Sequence, residues 1–211
     1  MLRRVLIALT LPLFLAACGA DNKWASDEAV RSVRYTSNEP TSISLITVIG
    51  LVRGEGGHTA LLINGSQRVI FDPAGSFAHP RAPERQDVLY GVTPEMLNVY
   101  IDYHARNLPR ERYYVTVDTV QVSPEVAEAA LRAAQENGAV NKAFCAVGTS
   151  NVLHKVPGFE GAPGGFSPIR MRDWFLTLPG VQSTSYRDND PRLVHGDLLR
   201  MKDGSIEAYD R

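Results

Sequence analysis

The stretch GEGGHTALLINGSQRVIFDP, residues 54–73, decides how the fold is read. Two apolar runs, 58–63 and 67–72, flank Asn64-Gly65-Ser66. Asn-Gly between such runs is a strong hairpin signal, because both residues accept the positive φ that tight hairpin turns require. Pro73 has no N–H to give to a ladder and ends the second run. With Asn64-Gly65-Ser66 as the loop, His58 stands opposite Asp72 on one face of the sheet. With Gly65-Ser66 alone it stands opposite Pro73, and Asp72 turns to the other face. The residues leave both registers open.

Working outward, residues 42–52 are rich in Ile, Leu and Val between Pro40 and Gly54, and read as a buried strand. Residues 73–85 hold Gly75 and prolines 73, 80 and 83, the composition of a loop that could lie over the hairpin as a lid. Thr93-Pro94-Glu95 is an N-cap, a first-turn proline and a first-turn acid, opening a helix to about Leu108. Residues 112–122 are a strand rich in Tyr, Val and Thr. Ser123-Pro124-Glu125 starts a second helix with Val126, Ala130, Leu131 and Ala134 on one face, ended by Asn137-Gly138. A third helix from about Ala143 carries Cys145, Thr149, Val152 and Leu153. After a Gly/Pro-rich loop at 157–165, Ser167-Pro168 opens a short helix through Trp174 to about Leu178, and 198–209 read as a final hairpin. The expectation is an α+β domain, an antiparallel sheet with packed helices.

The N-terminal end reads differently. Arg3 and Arg4, an apolar run from Val5 to Leu15 and small residues before Cys18 form a signal segment too short to be a permanent membrane span. Leu15-Ala16-Ala17-Cys18-Gly19 resembles the lipobox of bacterial lipoproteins. The resemblance implies removal of residues 1–17, acylation of Cys18 and attachment to an envelope membrane facing the periplasm. Gly19 resembles the outer-membrane-directed type. Two or three acyl chains, at roughly 0.8 kcal/mol per buried methylene, make a durable anchor. Residues 18–40 are polar and read as a tether, leaving 41–211 as one domain.

The chain has 211 residues, 44% hydrophobic and 21% charged, which suits a globular protein and excludes a disordered one. Loss of Arg3 and Arg4 with the signal leaves 20 Lys and Arg against 23 Asp and Glu, too acidic a balance for a nucleic-acid partner. Of two cysteines, an acylated Cys18 leaves Cys145 alone, so no intrachain disulfide is expected.

Cys145 at a helix start has its thiolate favoured by unpaired amides and the positive end of the helix. A cysteine nucleophile also needs an imidazole to take its proton, and that imidazole needs an orienting partner. Among His58, His79, His104, His154 and His195, His58 stands out at the head of an apolar strand, after Gly56-Gly57, where two missing side chains leave room for a substrate.

This order, a Gly-His strand, an adjacent strand ending in a polar residue, a Val/Thr strand, a Ser-Pro-Glu helix and then a helical cysteine, resembles the circularly permuted papain-like thiol hydrolases, related to NlpC-type peptidases and lecithin retinol acyltransferase. The resemblance spans about residues 43–178. It implies Cys145 as nucleophile, His58 as general base and then acid, and a polar third residue from the next strand, with the Cys145 N–H in the oxyanion site. Asp72 is the candidate third residue, with Asn64 and His79 as fallbacks. The implied substrates are cell-wall peptide amides or acyl groups of envelope lipids. The branch often has a polar residue before the cysteine, where this chain has Phe144. The surroundings of Cys145 also fit a buried packing cysteine, and Asp72 before Pro73 also fits a turn-closing residue. A binding lipoprotein of the same fold with an inactive site is therefore the alternative. No metal-ligand spacing, phosphate-binding loop or serine-hydrolase elbow is present, so no metal and no cofactor is expected.

Overall fold

A computed structural model describes residues 20, 22–105, 112–188, 190–193, 199–202 and 205–208. Cys18, the signal segment and His195 lie outside the described residues. The elements follow as α1 (Asp27–Ser32), β1 (Ser42–Gly50), β2 (Gly56–Asn64), β3 (Arg68–Phe71), β4 (Glu84–Arg85), β5 (Val88–Leu89), α2 (Pro94–Ala105), β6 (Tyr113–Gln121), α3 (Pro124–Glu136), α4 (Cys145–Leu153), α5 (Pro168–Phe175), β7 (Gln182–Tyr186), β8 (Leu199–Lys202) and β9 (Ser205–Ala208).

The protein is mixed α/β, built on an open seven-stranded sheet in the order β4-β5-β3-β2-β1-β6-β7, with β8 and β9 as a separate hairpin. Every pairing is antiparallel. β1 is central and covered on both faces, which is why its sequence is a nearly unbroken apolar run, buried from Ile43 to Gly50. Ile43, Leu45, Leu61, Ile63 and Phe71 point into a layer made with α3, α4 and α5. Ile46, Val48, Ala60, Leu62 and Ile70 point the other way, into a layer made with α2. Alanines 127, 130 and 134 give α3 a face flat enough to lie close on its layer.

The hairpin differs from both expected registers. Asn64 pairs with Arg68, so the loop is Gly65-Ser66-Gln67, and Leu61 pairs with Phe71. Asp72 then falls across from Ala60 and diagonal to His58. The shift from the first register is even, so the two side chains still share a face. β3 pairs only with Leu61–Asn64, so on its side away from β1 the Gly56–Ala60 half of β2 lacks a strand partner among the described residues.

The polar stretch read as a tether is laid against this fold from residue 22 onward. Lys23 pairs with Glu84 at 3.0 Å, the Arg85 guanidinium sits 4.9 Å over the Trp24 ring, and Val30 and Val33 pack on the α3–α5 layer. The Arg68 N–H donates to the Tyr35 carbonyl at 2.9 Å. These contacts use isolated residues with no periodicity, so the sequence carries no pattern for them. The loop after Pro73 is pinned as well: Phe77 is buried edge-on against Tyr100 at 5.1 Å and Tyr103 at 5.4 Å. Strands β4, β5 and β7 are short or polar and leave no periodic signal in the sequence, and β4 lies at the end of the stretch expected to be loop. Among the described residues no helix is long and apolar enough to cross a membrane.

Candidate active site

His58, Asp72 and Cys145 meet where β3 stops short of the start of β2. His58 projects from β2 into the α2 layer. Its Nε2 lies 2.6 Å from Asp72 Oδ1, leaving Nδ1 as the nitrogen available to Cys145. The same carboxylate oxygen accepts the Tyr100 hydroxyl at 2.6 Å, from the middle of α2. Asp72 is 4% exposed and His58 13%, so the ion pair is screened from water with one edge of the imidazole still reachable.

Cys145 arrives from the opposite layer. It heads α4, reaches through the opening beside β2, and interacts with His58 by hydrogen bonding and by charge. The backbone N–H groups of Thr59 and Ala146 face its sulfur and favour its charged form. Side chains of Ser26, Ser123 and Ser167 cap α1, α3 and α5, and the Thr93 hydroxyl accepts from Met96 in the first turn of α2. α4 begins after Phe144 with no side-chain cap, so no side chain competes for its first amides, of which that of Ala146 is already turned to the sulfur. Gly148, one turn into α4, is where helix and Asp72 turn touch. A Cβ there would stand 2.8 Å from the Pro73 Cβ and 2.8 Å from a Val140 methyl.

The electrostatics follow from burial opposed by pairing. Burial pushes the His58 imidazolium down, but the Asp72 charge and hydrogen bond outweigh it, and the pKa rises to about 10. Burial pushes Asp72 up, and His58 brings it below the ordinary carboxylate value. Burial likewise raises the Cys145 thiol, while the hydrogen bond and charge of His58, with the two backbone N–H groups, take it below its usual value. The result favours a thiolate–imidazolium pair at neutral pH.

Three further residues belong to the site and were missed in sequence reasoning. Tyr100 and His104 lie four apart on α2, and that spacing on one helical face was the available signal. The His104 ring stacks on His58 with centroids 5.3 Å apart and planes 15° from parallel. Asp87 has no comparable signal. Its backbone lies at φ +67°, and its Oδ2 accepts both the Ala74 N–H at 3.1 Å and the Val140 N–H at 2.8 Å. One oxygen thus ties the turn after Asp72 to the loop entering α4. Asn64 and His79 serve elsewhere: the Asn64 amide donates to the Glu39 and Pro40 carbonyls, and His79 Nδ1 accepts the Arg81 N–H.

His58, Asp72 and His104 bring ligand-type atoms within 4.8 Å of one another. Imidazole lone pairs lie in the ring plane, so the two nearly parallel rings direct theirs side by side and not at one point, and Nε2 of His58 is committed to Asp72. The cluster suits proton handling better than the convergent geometry of a metal centre. Phe144 and Phe166, both exposed, meet edge to face at 5.0 Å and form an apolar rim next to the thiol helix. Comparison with protein-family models, with curated proteins and with solved structures finds no match to this chain.

Proposed function

We propose that the chain is a thiol hydrolase or acyltransferase acting on amides or esters, with Cys145 as nucleophile, His58 as base and then acid, and Asp72 as orienting carboxylate. The observation carrying this reading is the chain of contacts Tyr100–Asp72–His58–Cys145, in which each group holds the next in the protonation state that thiol catalysis needs. The Cys145 sulfur attacks the substrate carbonyl, and the oxyanion is met by the Cys145 N–H at the uncapped start of α4. His58 gives its proton to the departing amine or alcohol, leaving an acyl-thioester. It then takes a proton from water, or from an acceptor hydroxyl or amine, which attacks the thioester and frees the thiolate.

The histidine-before-cysteine order on an antiparallel sheet with packed helices supports a permuted papain-like relationship. We further propose that Cys18 is lipidated and holds the domain at an envelope membrane facing the periplasm, near cell-wall peptides and envelope lipids. Tritiated palmitate fed to growing cells should be incorporated into the wild-type chain and not into Cys18→Ser; equal labelling of both overturns the anchor.

The decisive experiment is alkylation of Cys145 by iodoacetamide across pH in the folded protein, read by peptide mass spectrometry so that Cys18 does not contribute. The proposal expects reaction faster than a free thiol below pH 8. A Cys145 that reacts only on unfolding sinks it. That outcome would favour the second reading, a binding lipoprotein with a degenerate site, for which the 8% exposure of Cys145 is the supporting observation.

A further inference from the structure

We infer that His104 is a positioning residue of this site: its ring is the wall that fixes the plane of the His58 imidazole between Asp72 and Cys145. The inference rests on the proposed thiol chemistry and adds a residue to it. Contacts at the two nitrogens of His58 hold two points of the ring but leave it free to tilt about the line joining them, and the outer torsion of a histidine is broad. A flat group against the ring face removes that freedom. His104 is the group that does so, at 5.3 Å and 15°.

The wall is itself braced. Tyr100 packs edge-on to His104 at 4.6 Å, and Tyr103 at 5.1 Å and 88°. His104 Nε2 is buried and has no hydrogen-bond partner among the described residues, so at that nitrogen the ring is oriented by aromatic contacts and not by a polar one. The groups facing it are His58 from β2, Asp72 after β3, and Tyr100 and Tyr103 from its own helix. Burial, and then the positive charge of His58, push His104 down to about 4, so it stays neutral while His58 is charged. A neutral aromatic face next to an imidazolium is attractive, and His104 does not compete with His58 for the Asp72 charge.

The test uses the full chain and two readouts: the pH profile of Cys145 alkylation, mapped by peptide, and the titration of the His58 ring followed by 15N NMR. His104→Ala is expected to slow alkylation at pH 7 by about ten- to a hundredfold, the scale attached to misplacement of order an ångström. It should also move the profile to higher pH and lower the His58 midpoint. His104→Phe restores a flat face and is expected to keep both readouts close to wild type. Circular dichroism checks folding, and if His104→Ala does not fold, His104→Leu fills the space without a flat face and should give the same losses. Unchanged profiles in the Ala or Leu variant overturn the inference, as does a Phe variant as impaired as Ala, since the nitrogen and not the face would then matter. If wild-type Cys145 is no more reactive than a free thiol, the enzymatic reading fails by itself. The NMR titration still decides whether His104 holds His58.

Discussion

The two faces of the sheet are built on different principles. The layer under α3, α4 and α5 is filled with Ile43, Leu45, Leu61, Ile63, Phe71 and a run of small alanines, and its stability comes from apolar area removed from water. The layer under α2 has an apolar floor of the same kind, but at its open end it buries a carboxylate, two imidazoles and a phenol in contact with one another. An isolated buried charge is costly, so the charged members of this cluster persist only because they are paired, while His104 stays neutral. Cys145 belongs to the first face and its partners to the second, and they meet only because β3 ends early. The first layer sets where the thiol stands, while the second sets what its proton does.

This contrast can be broken most severely at the thiol. Cys145→Ala should abolish every thiol-dependent activity while costing no more than about 1 kcal/mol, because a small side chain is removed from the rim of an intact layer. Kinetics and urea unfolding on the same sample check this, and a variant that keeps activity defeats the proposed assignment. Next is Asp72→Asn, which keeps shape and removes charge. His58 should then lose its raised pKa, alkylation of Cys145 near neutral pH should slow by about ten- to a hundredfold, and breaking a buried pair should cost about 3–5 kcal/mol. If stability falls without any change in alkylation, Asp72 supports the fold and not the imidazole.

The pH dependence of unfolding separates the faces without mutation. His58 has a folded pKa raised from 6.5 to about 10, so the stability it contributes is complete below pH 6.5 and is lost as pH rises through about 10. His104 is lowered from 6.5 to about 4 and binds its proton more readily when unfolded, so stability falls as pH drops from 6.5 toward 4. Asp72, lowered below 3.8, adds a loss at still lower pH. The melting temperature should therefore be highest near pH 6.5, the value both imidazoles share when unfolded, and decline on both sides. A His58→Gln, His104→Gln double variant should flatten both slopes, because Cys145, the shifted group from the opposite layer, loses with His58 the partner that lowers it. The smallest effect is expected at Ser123→Ala, which removes the α3 cap at about 1 kcal/mol and should leave Cys145 alkylation unchanged. A change in the thiol there would mean that the layers are coupled more tightly than their contacts suggest.

Most of what was legible in the sequence was local. Asn64-Gly65 gave away the hairpin, Ser123-Pro124 and Ser167-Pro168 the helix starts, and His58 and Cys145 stood out by neighbours and order. The register was not legible, because Gln67 can sit in the loop or the strand with equal ease, and the pairing of Leu61 with Phe71 has no local signal. Tyr100 and His104 share a helix with apolar core residues and look like part of its stripe until β2 is placed beside them. Asp87 is the hardest case: its role consists of two backbone N–H groups 66 positions apart in the chain, a relation with no trace in spacing or composition.

Gly148 bears on inheritance. It holds no proton, binds nothing and is not part of any charged pair, yet the approach of the thiol helix to the Asp72 turn depends on its missing carbon. On the proposed chemistry, a sequence that keeps the cysteine, the histidine and the aspartate but adds one methyl group here would misplace the thiol. A search for those three residues alone would not tell it from one that keeps the glycine.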